Sequence, residues 1–246
     1  MKSYQIHFIR HGLTDGNVKG QYIGSTDLSL CEDGRKAVEE LCENYEYPGA
    51  SAFITSPMKR CTETLSIIYP QAVHIPIEDL RECDFGLFEG MTAKELEKSP
   101  SFAEWISGDA SVPPLDGESG EHFANRVCSA FEQIVSGLMK TGTTSCVIMT
   151  HGGVISMLLS KYGLPQAQPV DWPCEPGCGY TVRIHPQLWA SGRVMEVCSR
   201  LPYSSDDEED EDEHMTVEEF LTGEYLDENF EFDEEDLGDF YNPDME

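Results

Sequence analysis

Apolar and polar positions fall into two kinds of run along this chain. Short runs rich in Ile, Val and Phe read as strands: Tyr4 to Ile9, Ala52 to Thr55, Val73 to Ile77, Ser145 to Thr150, Tyr180 to His185 and Val194 to Cys198. Between them lie stretches whose apolar residues recur three or four apart, the spacing of one helix face. These are Asp33 to Tyr45, Met58 to Tyr69, Ala93 to Lys98, Phe102 to Ile106, Glu118 to Met139 and Val154 to Tyr162. Strands separated by helical segments need crossover connections, which predicts an α/β fold with a mainly parallel sheet and helices on both faces. The last two strands, joined by a short turn around Ser191-Gly192, predict an antiparallel hairpin at the edge of that sheet.

The pattern ends near Tyr203. Ser204 to Glu246 holds 21 acidic residues and neither Lys nor Arg, leaving 25 acidic against 16 basic residues in Met1 to Tyr203. The net charge of −30 is therefore mostly a property of the tail. Self-repulsion in Asp206 to Glu213 opposes compaction, so the expected domains are 1–203, folded, and 204–246, acidic and largely disordered or weakly docked. Phe220, Leu221, Tyr225, Leu226, Phe230, Phe232, Phe240 and Tyr241 interrupt the tail's carboxylates. That mixture characterises segments that dock on a protein partner.

Several classes are disfavoured. Strong acidity argues against nucleic acid as a partner, because that affinity rests on clustered cations. No apolar run approaches the roughly 20 residues needed to span a bilayer, and the N-terminus lacks a signal-peptide core, so a cytoplasmic location is expected. Nine cysteines, an odd number, fit reduced thiols better than a disulfide framework. Cys174 and Cys178 have near metal-ligand spacing but lack a second pair.

The chemistry concentrates where strands end. The first strand stops at Arg10-His11-Gly12, and the fourth, Ser145 to Thr150, stops at His151-Gly152-Gly153. Strand ends at the C-terminal edge of a sheet are where ligands of α/β folds bind. The second strand runs into Ser56-Pro57, with Ser56 a candidate N-cap, and delivers Arg60 to the same edge. Two arginines and two histidines converging on one spot repel unless an anion sits among them, and an arginine fork matches phosphate oxygens. Nearby cations also hold an imidazole neutral, and so nucleophilic, near pH 7. A departing alkoxide needs a proton; of Glu82, Asp84 and Glu89 in the loop Leu80 to Gly90, Glu82 is the expected donor and Glu89 a structural residue.

Over most of Met1 to Pro202 the chain resembles the histidine phosphatase superfamily, also called phosphoglycerate mutase-like. Arg10-His11-Gly12-Leu-Thr14-Asp-Gly-Asn17 is similar to its Arg-His-Gly-x-Thr-x-x-Asn, Ser56-Pro-Met-Lys-Arg60 to its Ser-x-x-x-Arg, and His151-Gly-Gly to its second histidine. Leu80-Arg-Glu82, with Phe85-Gly86 and Phe88-Glu-Gly90, resembles the acid-bearing segment of the branch containing α-ribazole phosphatases and fructose-2,6-bisphosphatases. Pro113 to Ser119 resembles that branch's lead into a long helix. Leu13 departs from the glutamate of many members, and the tail has no counterpart.

The resemblance implies that His11 becomes a phosphohistidine and that Arg10, Arg60 and His151 bind the phosphoryl group, with Asn17 adding a contact. Glu82 would protonate the leaving group and then assist water. The implied function is a phosphomonoesterase acting on a small phosphorylated metabolite with neither cofactor nor metal. A phosphoglycerate mutase is the alternative. It is disfavoured because between Glu89 and Met149 only Lys94, Lys98, Arg126 and Lys140 are basic, whereas the resemblance leads one to expect further cations for a bisphosphate. A non-catalytic binding module using the acidic tail is a third reading, against which the complete set of site residues weighs.

Overall fold

Residues 2–106 and 111–203 are described by the computed structural model; every expectation for Ser204 to Glu246 falls outside them. The chain runs β1 (Tyr4–Arg10), α1 (Asp15–Val18), α2 (Glu32–Asn44), β2 (Ala52–Thr55), α3 (Lys59–Ile68), β3 (His74–Pro76), α4 (Ala93–Leu96) and α5 (Pro100–Ile106). It continues with α6 (Gly120–Thr141), β4 (Ser145–Thr150), α7 (Gly152–Tyr162), β5 (Gly163–Leu164), β6 (Gly179–Ile184), α8 (Pro186–Gly192) and β7 (Met195–Leu201). No helix among the described residues is long and apolar enough to cross a membrane.

The seven strands form one sheet in the order β3-β2-β4-β1-β6-β7-β5. The first four in that order run parallel, and β6 is antiparallel to both β1 and β7. Alternation along the strands sorts side chains to two faces. Ile6, Phe8, Cys146 and Ile148 pack with Val127, Phe131, Ile155 and Leu158 of α6 and α7. Ile9, Val147 and Met149 pack with Cys61 and Leu65 of α3. β4 is buried on both faces, which is why Cys146 to Met149 reads as a continuous apolar run.

The antiparallel β6–β7 pair lies at one end of the sheet with the two-residue β5 beyond it. Its connection differs from the expected short turn: it is α8, begun by Pro186 at a position where the missing N–H costs nothing. The start of α3 also differs. The helix begins at Lys59 with Met58 as its N-cap, so Ser56 lies two residues before the cap.

Register fixes the site. Arg10 pairs with Thr150 across β1 and β4, so His11 and His151 leave the sheet side by side; the His11 N–H donates to the Thr150 carbonyl at 3.0 Å. One strand over, the Ser56 N–H donates to the Met149 carbonyl at 2.9 Å. Beyond β3 the chain turns through Glu78–Leu80 into Glu82. Four adjacent parallel strands thus deliver their following residues to one edge.

Candidate active site

At that edge lies a cleft of about 340 Å3, lined by Arg10, His11, Asn17, Glu82, Gly152 and Gly153 together with Tyr22, Phe85 and Trp172. A larger groove of about 770 Å3 adjoins it along α2 and shares Arg10, Asn17 and Gln21.

The imidazole of His11 is buried, and its Nδ1 lies 2.6 Å from the Gly12 carbonyl oxygen. A carbonyl only accepts, so the hydrogen-bond network assigns the proton to Nδ1 and the lone pair to Nε2. Burial first, then the charges of Arg60 and Arg10, push the His11 pKa down to about 3 against the opposing pull of the Gly12 carbonyl. The ring is therefore neutral at pH 7, with Nε2 unprotonated.

Behind His11, its ring 5.2 Å away and edge-on, sits the fully buried His151. The Arg60 Nε–H donates to His151 Nδ1 at 3.3 Å, which leaves the His151 proton on Nε2, 2.8 Å from Ser56 Oγ. Arg60, 1% exposed, donates through Nη1 to the Thr26 carbonyl and through Nη2 to the Gly24 carbonyl, each at 2.8 Å. Arg60 and His151 thus form a layer beneath the cleft rather than its wall. Burial, then His11 and Arg60, hold His151 well below the usual histidine pKa.

Glu89 explains why those two carbonyls are in place. One carboxylate oxygen accepts the N–H groups of Gly24, Ser25 and Phe85 at 2.8, 2.9 and 3.2 Å, and the other accepts that of Thr26 at 3.1 Å. It ties the loop that aims Arg60 to the loop that carries Glu82.

Glu82 accepts the Cys83 N–H on Oε1 and the Gly153 N–H on Oε2, both at 3.0 Å. Burial raises its pKa, and these two bonds with the charges of Arg60 and Arg10 only partly oppose the rise. Such a carboxyl keeps its proton to a higher pH than an ordinary glutamate, which suits a proton donor. The paired glycines after His151 have separate reasons. A Cβ on Gly152 would lie 3.3 Å from Arg10 Nε, and one on Gly153 only 2.5 Å from Glu82 Oε1. They also open the N-terminus of α7 toward the cleft, an end that favours anions.

Arg10 donates through Nη1 to the Cys174 carbonyl at 2.6 Å, and its own backbone N–H meets the Cys178 carbonyl at 2.8 Å. The two cysteines thereby anchor Arg10 through their backbones. Arg10 Nε is buried without a partner. Asn17 has its Oδ1 taken by the backbone N–H and hydroxyl of Thr14, at 3.1 and 2.9 Å, which leaves its Nδ2 group to the cleft. The sequence-predicted residues thus converge, with Arg10, His11, Asn17 and Glu82 in the cleft and Arg60 and His151 directly below.

Residues 6–196 match the profile of the histidine phosphatase superfamily, branch 1. The chain belongs to that superfamily. It is a phosphatase-type enzyme, and relatives bear this out. A broad-specificity phosphatase of Saccharomyces cerevisiae is 29% identical over 68% of this chain and 74% of its own. A 2,3-bisphosphoglycerate-dependent phosphoglycerate mutase of Cytophaga hutchinsonii is 30% identical over 66% of this chain and 78% of its own. Among solved structures, the α-ribazole phosphatase of Shigella flexneri shares the fold at 22% identity, with a TM-score of 0.65 over 74% of this chain and 92% of its own.

Two functional contributions in this histidine phosphatase escaped sequence reasoning. Ser56 holds the His151 ring instead of capping a helix, a contact between residues 95 apart that no local pattern signals. Arg126, expected only as one of four scattered cations, is fully engaged on the backbone of the acid-bearing segment.

Proposed function

We propose that this enzyme hydrolyses a small phosphorylated metabolite, a phosphomonoester, through a phosphohistidine on His11 and without a metal ion. The observation that carries the reading is the state of His11: neutral, with its proton held by the Gly12 carbonyl and its Nε2 lone pair in a cleft that also contains Glu82 and Arg10. Nε2 attacks phosphorus, the bond to the leaving oxygen breaks, and that oxygen takes the Glu82 proton. Water then attacks the phosphorus of the phosphohistidine, giving its proton to the Glu82 carboxylate as His11 Nε2 leaves. The P–N bond breaks, and inorganic phosphate leaves.

Charge on the phosphoryl oxygens is met by Arg10, whose Nε has no other partner, and by Asn17. Arg60 adds its two remaining Nη–H groups from below, and His151 the N–H now shared with Ser56. Fixed cations of this kind stabilise the transferring group without reorganisation. Hydrolysis is preferred to mutase chemistry because Arg10 is the only Lys or Arg lining the cleft among the described residues. Arg126, a further candidate on α6, has no donor left for a second phosphate. Nine free thiols fit a cytoplasmic location, and the acidic tail is proposed as the element that meets a protein partner.

The test is acid-labile transfer of label from a phosphate-labelled substrate. Wild-type protein should be labelled and should release inorganic phosphate, with EDTA present or absent, and His11→Ala should do neither. Label that persists in His11→Ala sinks the assignment, and transfer to phosphoglycerate rather than water would make the mutase the better reading.

A further inference from the structure

Arg126 lies in the second turn of α6 and does not line the cleft. All five of its guanidinium N–H groups are nevertheless engaged. Nη1 donates to the carbonyls of Asp79 and Arg81 at 2.9 and 2.8 Å. Nη2 donates to the carbonyl of Glu82 at 2.9 Å and to Glu118 Oε2 at 2.7 Å, and Nε donates to Glu118 Oε1 at 2.7 Å. The Glu118 side chain is 9% exposed and itself holds the segment: its backbone N–H meets the Asp84 carbonyl at 2.8 Å, and its carboxylate faces the Asp84 N–H at 3.4 Å. Burial pushes the Glu118 carboxyl up, but the bonds and charge of Arg126, with His122, outweigh that and hold it below the usual carboxylate value. The Glu118 carboxylate is therefore ionised at neutral pH.

Three of those donors grip the carbonyls of Asp79, Arg81 and Glu82 in one short, irregular stretch, whose own hydrogen bonding is a single 3-10 turn. The last of the three belongs to Glu82. A partly buried ion pair is poor evidence for stability by itself, since desolvation offsets much of the attraction. What it supplies here is a fixed backbone origin for a side chain that must meet a leaving oxygen.

We propose that Arg126, oriented by Glu118, is the positioning residue for Glu82. The proposal rests on the reading of Glu82 as the proton donor. Lysine retains the charge but offers three donors from one point, so Arg126→Lys keeps the long-range field on the cleft and removes the fork.

The full-length chain is assayed with β-glycerophosphate, whose alkoxide leaving group needs a proton, and with p-nitrophenyl phosphate, whose leaving group scarcely does. Misplacement of a catalytic group by about 1 Å costs up to about 100-fold, so Arg126→Lys should lower kcat/KM for β-glycerophosphate about 10- to 100-fold more than for p-nitrophenyl phosphate. In a Glu82→Gln background that selective loss should vanish. Equal losses on both substrates, or a selective loss that persists without Glu82, would overturn the positioning role and leave the Glu82 reading standing. If Glu82→Gln itself shows no leaving-group selectivity, the donor reading fails and the proposal with it. Should Arg126→Lys not fold, Glu118→Gln carries the same comparison, because it weakens the anchor while leaving the arginine in place.

Discussion

The Gly153 N–H donates to Glu82 Oε2 at 3.0 Å, and a Cβ on the same glycine would fall 2.5 Å from Glu82 Oε1. One residue thus both holds the carboxylate and leaves room for it. Gly153→Ala should separate activity from stability. Alanine at a helix position favours folding by about 0.5–1 kcal/mol over glycine, and the clash is with the movable end of a side chain. The expected result is a Tm that is unchanged or slightly higher and a kcat/KM on alkyl phosphates at least about tenfold lower, as the carboxyl is pushed from its place. Undiminished turnover would show that Glu82 does not need that position.

Glu89→Gln tests the support beneath Arg60. The carboxylate accepts four backbone N–H groups, whereas an amide presents two of its own hydrogens to donors. Leaving such groups unmatched costs about 1–3 kcal/mol each when buried, and the loop carbonyls that hold Arg60 lose their anchor. Tm should fall, and inhibition by inorganic phosphate should weaken with it. A fall in Tm with unchanged phosphate inhibition would confine Glu89 to a purely structural part.

Much of this was legible in the chain, for a definite reason. The strands β1 and β4 are buried on both faces, so their apolar runs are unambiguous, and the polar residues that end them, His11 and His151, stand out. Arg60 was legible as a cation near the same edge. Its burial was not, because that depends on the carbonyls of Gly24 and Thr26, held by Glu89 from a loop 63 to 65 residues away in sequence. Ser56 read as a helix cap because the local pattern allows it; only the parallel register of β2 with β4 brings it to His151. α8 was missed because Ser191-Gly192, which closes it, reads as a turn between two strands.

The pH dependence of kcat/KM follows from the two catalytic groups. Glu82 must be protonated for the first step, and its raised pKa places its deprotonation on the alkaline side of the usual glutamate value. Activity on alkyl phosphates should therefore decline as pH rises through that value, and Glu82→Gln should flatten the limb. On the acid side His11, at about 3, is not limiting. The limb there should instead follow the substrate's second phosphate ionisation, near pH ~6, and move with the substrate rather than with the enzyme.

Deletion of Ser204 to Glu246 should leave kcat within about twofold, because every residue of the proposed chemistry precedes it. The removed segment carries 21 carboxylates, and a phosphomonoester is repelled by the same field. KM should therefore fall on truncation at low ionic strength, and the difference should shrink as salt is added. A salt-independent change in KM would require a direct contact between tail and cleft. Loss of kcat would place tail residues in the core or the site.

His7 supplies an acid-stability test that does not touch catalysis. Its ring is 2% exposed, with Nδ1 3.0 Å from Thr181 Oγ1, and burial pushes its pKa down to about 4 from 6.5. Between those values the unfolded chain binds a proton that the folded chain refuses, so stability is complete above pH ~6.5 and is lost as pH falls toward about 4. At 1.36 kcal/mol per pH unit the full loss from this one group is about 3 kcal/mol. Tm should drop between pH 7 and pH 5 in wild-type protein. His7→Phe should show a shallower slope over the same interval, whatever its absolute Tm, because the remaining dependence then comes from His11, His151 and other groups. Parallel slopes would mean that His7 takes up its proton inside the folded protein, and that Thr181 or a backbone shift accommodates the charge.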